Sequence, residues 1–116
     1  MSAATTNAIS RKLDSLHRKG AMRLTDVASI LGTGPDTISR WNAGQAFPRP
    51  DTQRRLLDLE YIVDELSDFY SPDDARLWLL SPQKLLDGAA PADMIHAGRA
   101  DEVMAFIDQL RDGTYL

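Results

Sequence analysis

Two histidines, 17 carboxylates and no cysteine are what this 116-residue chain offers for chemistry. The missing thiol removes a disulfide framework, a thiolate metal site and a cysteine nucleophile. His17 and His96 are far apart in sequence, and neither belongs to a His-Glu-x-x-His or other metal motif. Both read as surface or helix-end residues. The carboxylates are scattered at helical-surface positions and form no acid/base pair. Gly32-Thr33-Gly34-Pro35 follows no strand and reads as a turn, not a phosphate cradle. Met22, Met94 and Met104 read as core or interface filler. These residues predict no enzyme, no cofactor and no metal.

What remains is recognition chemistry, concentrated first in residues 24–44, LTDVASILGTGPDTISRWNAG. Two short helical patterns are separated here by a few turn residues. A helix-turn-helix needs a small residue where its helices cross, a turn glycine able to take positive φ, and apolar anchors on the second helix. Ala28, Gly32, Ile38 and Trp41 supply them at the required spacings. The start of the second helix would then enter the DNA major groove. Its outward residues are Asp36, Thr37, Ser39 and Arg40, with Asn42 near the end. Arg40 could pair with guanine or phosphate, and Thr37 with a phosphate or a thymine methyl. Asp36 is better read as complementing the helix amino terminus than as accepting from cytosine. Arg49, Arg54 and Arg55, with Arg11, Lys12, Arg18, Lys19 and Arg23, could neutralise phosphates. Thr37, Ser39, Arg40, Asn42 and Arg49 are the candidate DNA-binding residues. The competing reading is an ordinary helical hairpin in which Trp41 is only core.

Glycine and proline mark out the elements that must position these residues. No stretch alternates apolar and polar for long, so no strand is expected. A helix over 6–19 buries Ile9, Leu13 and Leu16 and stops at Gly20. Thr25 caps a short helix ended by Gly32, and Pro35 opens the next, which runs to Asn42 and ends at Gly44. After the rigid Phe47-Pro48-Arg49-Pro50 connector, Asp51 caps the longest helix, about 52–69. Leu56, Leu59, Ile62, Val63, Leu66 and Phe69 repeat along it every three or four residues. Ser71-Pro72 and Ser81-Pro82 each read as a cap and a first-turn proline. A short helix from Pro91 to Ala97 and a last one from Arg99 to Arg111 follow, with Gly113 as the stop. The chain reads as all-α, with seven or eight helices. The expected division is a helix-turn-helix region over 1–50, a connecting helix over 51–70 and a helical module over 71–116.

Charge divides along the same line. Residues 1–55 carry nine Lys/Arg against four Asp/Glu, whereas residues 56–116 carry four against thirteen. Such a split suggests two partners, a polyanion being natural for the basic half. No apolar run approaches a membrane span, and MSAATTNAISRK lacks an apolar stretch followed by a cleavage site, so secretion is not expected. A soluble, cytoplasmic protein is expected.

Two longer patterns resemble known families. Trp41-x-x-Gly44-x-x-x-Pro48 resembles the end of the recognition helix and the following turn in Xre/Cro-type repressors. Trp78-Leu-x-Ser81-Pro82-x-x-Leu85-Leu86-x-Gly88-x-x-Pro91-x-Asp93-Met94-Ile95-x-x-Gly98, then Glu102-Val103 and Leu110-x-x-Gly113, resembles the toxin-binding domain of the Xre/MbcA/ParS antitoxins. The combined similarity covers residues 20–116 and is nearest the mycobacterial MbcA branch.

The resemblance implies a type II antitoxin: a Xre/Cro-like bundle fused through a long helix to a small toxin-binding domain. Its partner would be a RES-domain toxin that degrades NAD, blocked at its active site by the antitoxin's carboxy-terminal end. It also implies repression of the antitoxin's own operon, homo-oligomers and higher-order toxin complexes. Carried over, Gly113, Thr114, Tyr115 and Leu116 would sit at the toxin pocket. Asp108, Arg111 and Asp112 of the last helix complete the candidate toxin-binding set. An aromatic residue near a terminal carboxylate makes a plausible short plug, since tyrosine is favoured as an interface anchor; without the resemblance, a frayed end is the default. Asp101, Asp108 and Asp112 could complement a basic cleft rim or could be simply a solvated face. The alternative is a stand-alone Xre-type regulator whose acidic half is a dimerisation or protein-interaction module. A third reading is an antitoxin-like protein whose DNA binding has decayed.

Overall fold

The structure is a computed structural model that describes residues 7–113. Its seven α-helices are α1 (Ala8–Gly20), α2 (Leu24–Leu31), α3 (Pro35–Asn42), α4 (Pro50–Leu66), α5 (Pro72–Leu80), α6 (Pro91–His96) and α7 (Ala100–Arg111), with one 3₁₀ turn at Lys84–Leu86. Among the described residues there is no strand, in keeping with the all-α reading.

Local chemistry sets most of the boundaries. The Asn7 side chain accepts the Ser10 N–H at 2.8 Å and so opens α1. Pro35, Pro50, Pro72 and Pro91 each begin a helix, where the missing N–H costs nothing and φ is already helical. Ser71 accepts the Asp74 N–H, as its place before Pro72 suggests.

Four expectations are corrected. Thr25 is not the cap of α2: the helix begins a residue earlier, and the Asp26 carboxylate accepts the Arg23 N–H at 2.9 Å. Asp51 is not the cap of α4, because Pro50 opens that helix and places Asp51 inside its first turn. The helix also ends at Leu66 rather than 69, and Phe69 is exposed on the following turn. Ser81-Pro82 starts no helix. The Ser81 hydroxyl donates back to the Leu77 carbonyl. Gln83 then staples the loop, donating from its side chain to the Trp78 carbonyl at 3.1 Å and from its backbone to Ala89 at 3.0 Å.

One continuous core runs through all these elements. α4 lies at its centre: Leu56, Leu59, Ile62, Val63 and Leu66 are each at most 1% exposed. It packs against α1 and α2 from the first half and α6 and α7 from the second, and α1 also reaches α5. Gly20 allows the end of α1 to meet α4 closely, since a Cβ there would stand 2.9 Å from a Val63 methyl carbon. Trp78 packs on Phe106, their ring centroids 5.5 Å apart, closing the far end of the core.

Because Leu59 is completely buried, Leu59→Ala should destabilise the fold by about 2–5 kcal/mol. Urea unfolding checks this; a loss well under ~1 kcal/mol would mean the α4 face is not the shared core.

Candidate functional site

The α2–turn–α3 unit is built as a helix-turn-helix. Ala28 is buried where the helices meet, and Gly32 takes φ 74° to end α2. The Thr33 N–H donates back to the Ala28 carbonyl at 2.9 Å, closing the turn. A side chain on Gly32 would also approach the His96 ring to 3.0 Å. Ile38 and Trp41 are buried, at 0% and 4% exposure. Their burial fixes the rotation of α3 and leaves Asp36, Ser39, Arg40 and Asn42 exposed, with Thr37 half-buried.

Beside α3 lies an open groove of about 520 Å³ between the turn and the start of α4. Thr37 and Arg40 line it from α3, Phe47 and Arg49 from the connector, and Thr52 and Arg55 from α4. Phe47 is 71% exposed. Arg40 and Arg55 enter no ion pair among the described residues, whereas Arg49 stands 3.9 Å from Asp51. The positive end of the α4 dipole adds to this electropositive edge.

Of the other basic residues expected to meet phosphate, several are engaged within the molecule. Lys12 pairs with Glu60, Lys19 with Asp64, Arg18 with Asp14 and Arg54 with Asp58. Arg55 gains weight in their place. It was one of many arginines in the sequence; only the fold brings it into the groove with Arg40 and Arg49.

The helix-turn-helix is tied to the second half by polar contacts as well as core. Arg76 of α5 donates two hydrogen bonds to the Asp26 carboxylate, each 3.1 Å. Burial alone would raise the Asp26 pKa; the Arg76 hydrogen bonds, the Arg23 N–H and both arginine charges outweigh it, holding the carboxyl below its ordinary value. His96, in the last turn of α6, has Nδ1 3.1 Å from the Ile30 carbonyl, so that nitrogen carries the proton it donates. His17 is likewise at a helix end, with Nδ1 3.3 Å from the Met22 carbonyl. Neither contact was legible from the sequence, because the partners of Arg76 and His96 are 50 and 66 residues away.

At the opposite end, α7 presents Asp101, Asp108 and Asp112 to solvent. Arg111 is turned onto α4: it donates to Asp68 and Glu65 at 3.0 Å each and lies 5.6 Å from the Phe69 ring centre. It therefore fixes the end of α7 against α4. Gly113, with φ 71°, follows the helix end. Thr114, Tyr115 and Leu116 lie outside the described residues. Leu77, Leu80 and Leu85, whose faces the sequence left unassigned, are exposed beside this module. Among the described residues no three His, Asp or Glu side chains gather as a metal site, and no helix is long and apolar enough to cross a membrane.

A helix-turn-helix thus shares one core with a second, acid-rimmed helical module, and comparison with known proteins identifies the class as antitoxins. Residues 63–113 match the model of the antitoxin Xre/MbcA/ParS C-terminal toxin-binding domain. The chain is 34% identical to the mycobacterial cidal antitoxin MbcA of Mycobacterium tuberculosis over 91 residues, covering 78% of this chain and 80% of that protein. It is 30% identical to a probable mycobacterial cidal antitoxin of the same organism, over 90% of this chain and 88% of the relative. It also superposes on a chain of the crystal structure of the M. tuberculosis MbcT–MbcA toxin–antitoxin complex with a TM-score of 0.84 and 29% identity, covering 96% of this chain and all of that one. The chain belongs to the Xre/MbcA/ParS antitoxin family.

The depressed Asp26 pKa has a consequence for stability. The Asp26–Arg76 contribution is full above the ordinary carboxylate range and is lost as pH falls through the lower, folded-state value. Asp26→Asn should therefore lower stability by about 1–2 kcal/mol at neutral pH and flatten the acid limb of a Tm-against-pH curve. An unchanged acid limb would contradict the assignment.

Proposed function

We propose that this chain is the antitoxin of a RES-domain toxin that degrades NAD, and that it silences the toxin with the carboxy-terminal end of its last helix. The match of residues 63–113 to a toxin-binding domain carries this reading. The MbcA-containing crystal structure supports it, since the relative there is held in a complex with its toxin. The toxin-facing set is Asp108, Asp112 and Gly113 with Thr114, Tyr115 and Leu116. Arg111 serves it by anchoring the helix to Glu65 and Asp68, so that the segment after Gly113 leaves from a fixed point. Exposed Asp101, Asp108 and Asp112 suit a cleft built for an anionic dinucleotide. The antitoxin does no chemistry itself; it excludes substrate from the partner.

The groove favours a second activity, repression of the antitoxin's own operon. In this reading Arg40 and Thr37 read base edges and Ser39 and Asn42 meet the flanking backbone, which the exposure of Ser39, Arg40 and Asn42 supports. Arg49 and Arg55, which line the same groove, neutralise phosphates in this reading. Net acidity weighs little here, because three arginines line the groove against one carboxylate, Asp51, which stands 3.9 Å from Arg49. Several copies on one operator, alone or gathered by the toxin, would convert weak single contacts into firm binding.

Deleting Thr114–Leu116 should restore the toxicity of the co-expressed RES toxin while far-UV circular dichroism of the antitoxin stays unchanged. Continued protection by the truncated chain would overturn the plug. For DNA, Arg40→Ala should weaken operator binding by about 1–3 kcal/mol and relax specificity at one position. Arg55→Ala should weaken all sequences alike and lower the salt slope by about one. Equal binding by both variants and the parent chain would contradict the groove assignment.

A further inference from the structure

We propose that Phe47 selects thymine: its ring packs on the C5-methyl group of a thymine at the flank of the site that α3 reads in the major groove. This rests on the operator reading above and adds an apolar base contact to the polar ones assigned there. Among the described residues Phe47 is the most exposed large apolar side chain, at 71%. A lone exposed apolar residue is ordinary on a protein surface, but the residues on either side hold this one out. Ala46 packs against the core and Pro48 is buried, so the connector turns Phe47 outward. The Gln53 side chain donates to the Pro48 carbonyl at 3.0 Å, tying the connector to α4. The Gln45 N–H donates to the Arg40 carbonyl at 2.8 Å, tying the other end to α3. With Pro48 and Pro50 also restricting φ, the backbone under the ring has little freedom left to lose on binding.

The chemistry of the groove identifies the occupant. Arg40, Arg49 and Arg55 line it together with Phe47, against the single carboxylate of Asp51. A second copy of the chain laid on this face would bring arginines onto arginines. An apolar protein surface would bury them without a counter-charge. A nucleic acid satisfies them. Within a duplex, a ring with neither donor nor acceptor gains nothing from phosphate and must cover apolar surface instead. In the major groove that surface is the thymine methyl, which the edges of the other bases lack. Thr37 and Arg40 of α3 border the same groove, so a duplex seated on α3 brings base edges, and not its backbone alone, up to the ring.

Fluorescence-anisotropy titrations test this, using the full chain, alone and with its co-purified toxin. The probe is a duplex of the DNA immediately upstream of the chain's own reading frame. Each thymine of the probe is replaced in turn by deoxyuridine, which removes only the methyl group. The wild-type chain should lose about fourfold in affinity at one thymine or one symmetry-related pair, the worth of a single buried methyl. Phe47→Ala should bind the unmodified probe at least about fourfold more weakly and should no longer respond to that replacement. Phe47→Leu, which keeps an apolar contact, should recover part of both effects. Tm and circular dichroism should be retained in both variants, because the side chain is exposed. Three results would each overturn the proposal: a wild-type chain indifferent to every replacement, Phe47→Ala binding as tightly as wild type, or a weakened Phe47→Ala that keeps the wild-type response. The last would place the ring on deoxyribose instead. Failure of the operator reading looks different: the wild-type chain would not bind the probe at all, which overturns both, or Arg40→Ala would bind it unchanged.

Discussion

A helix has one face to bury, and in this molecule the face of α4 is buried by both halves at once. Leu56, Leu59, Ile62, Val63 and Leu66 meet α1 and α2 on one side and α6 and α7 on the other. Two separate cores in a chain this short would each be marginal, because small domains bury a smaller fraction of their surface. Sharing one helix solves that constraint and also fixes where the groove and the end of α7 lie. The groove lined by Arg40, Arg49 and Arg55 opens beside the first turns of α4, and the end of α7 is clamped near its finish.

The charge split between the halves is partly an internal matter. Lys12 and Lys19 of α1 pair with Glu60 and Asp64 of α4, and Asp26 of α2 pairs with Arg76 of α5. The lysines of the basic half are thus partly neutralised by the acidic half along the seam, while the Asp26–Arg76 pair runs the other way. What is left over is more informative than the totals: Arg40 and Arg55 beside the groove, and the aspartates of α7. Exposed pairs such as Arg18–Asp14 add little to stability, whereas Asp26 and Arg76 are sheltered enough to orient α2 against α5.

Much of this was legible in the residues. Prolines at helix starts and glycines at helix ends placed α3, α6 and α7 nearly to the residue, and the spacing of Ile38 and Trp41 named the outward face of α3 correctly. The ordered motif from Trp78 to Gly98 pointed to the family found by comparison. Three of the four misreadings share a cause: a local role that a neighbouring residue or contact could also take. Thr25 lost the cap to Asp26, Asp51 was displaced by Pro50, and Ser81 turned back to Leu77 instead of forward. Local sequence does not decide such contests, and it is silent on contacts such as His96 with Ile30, where the partners meet only through the core.

The unity of that core is the claim on which the rest depends, and the two tryptophans test it, since Trp41 reports on α3 and Trp78 on α5. In Trp41→Phe and Trp78→Phe variants a single fluorophore remains in each half, and urea unfolding can be followed by fluorescence and by circular dichroism together. One shared core predicts that in each variant the two signals trace the same transition, with the same midpoint and slope. A Trp41 transition clearly separated from the loss of helix, with Trp78 and the remaining helices unfolding later, would show two independent domains and contradict the account.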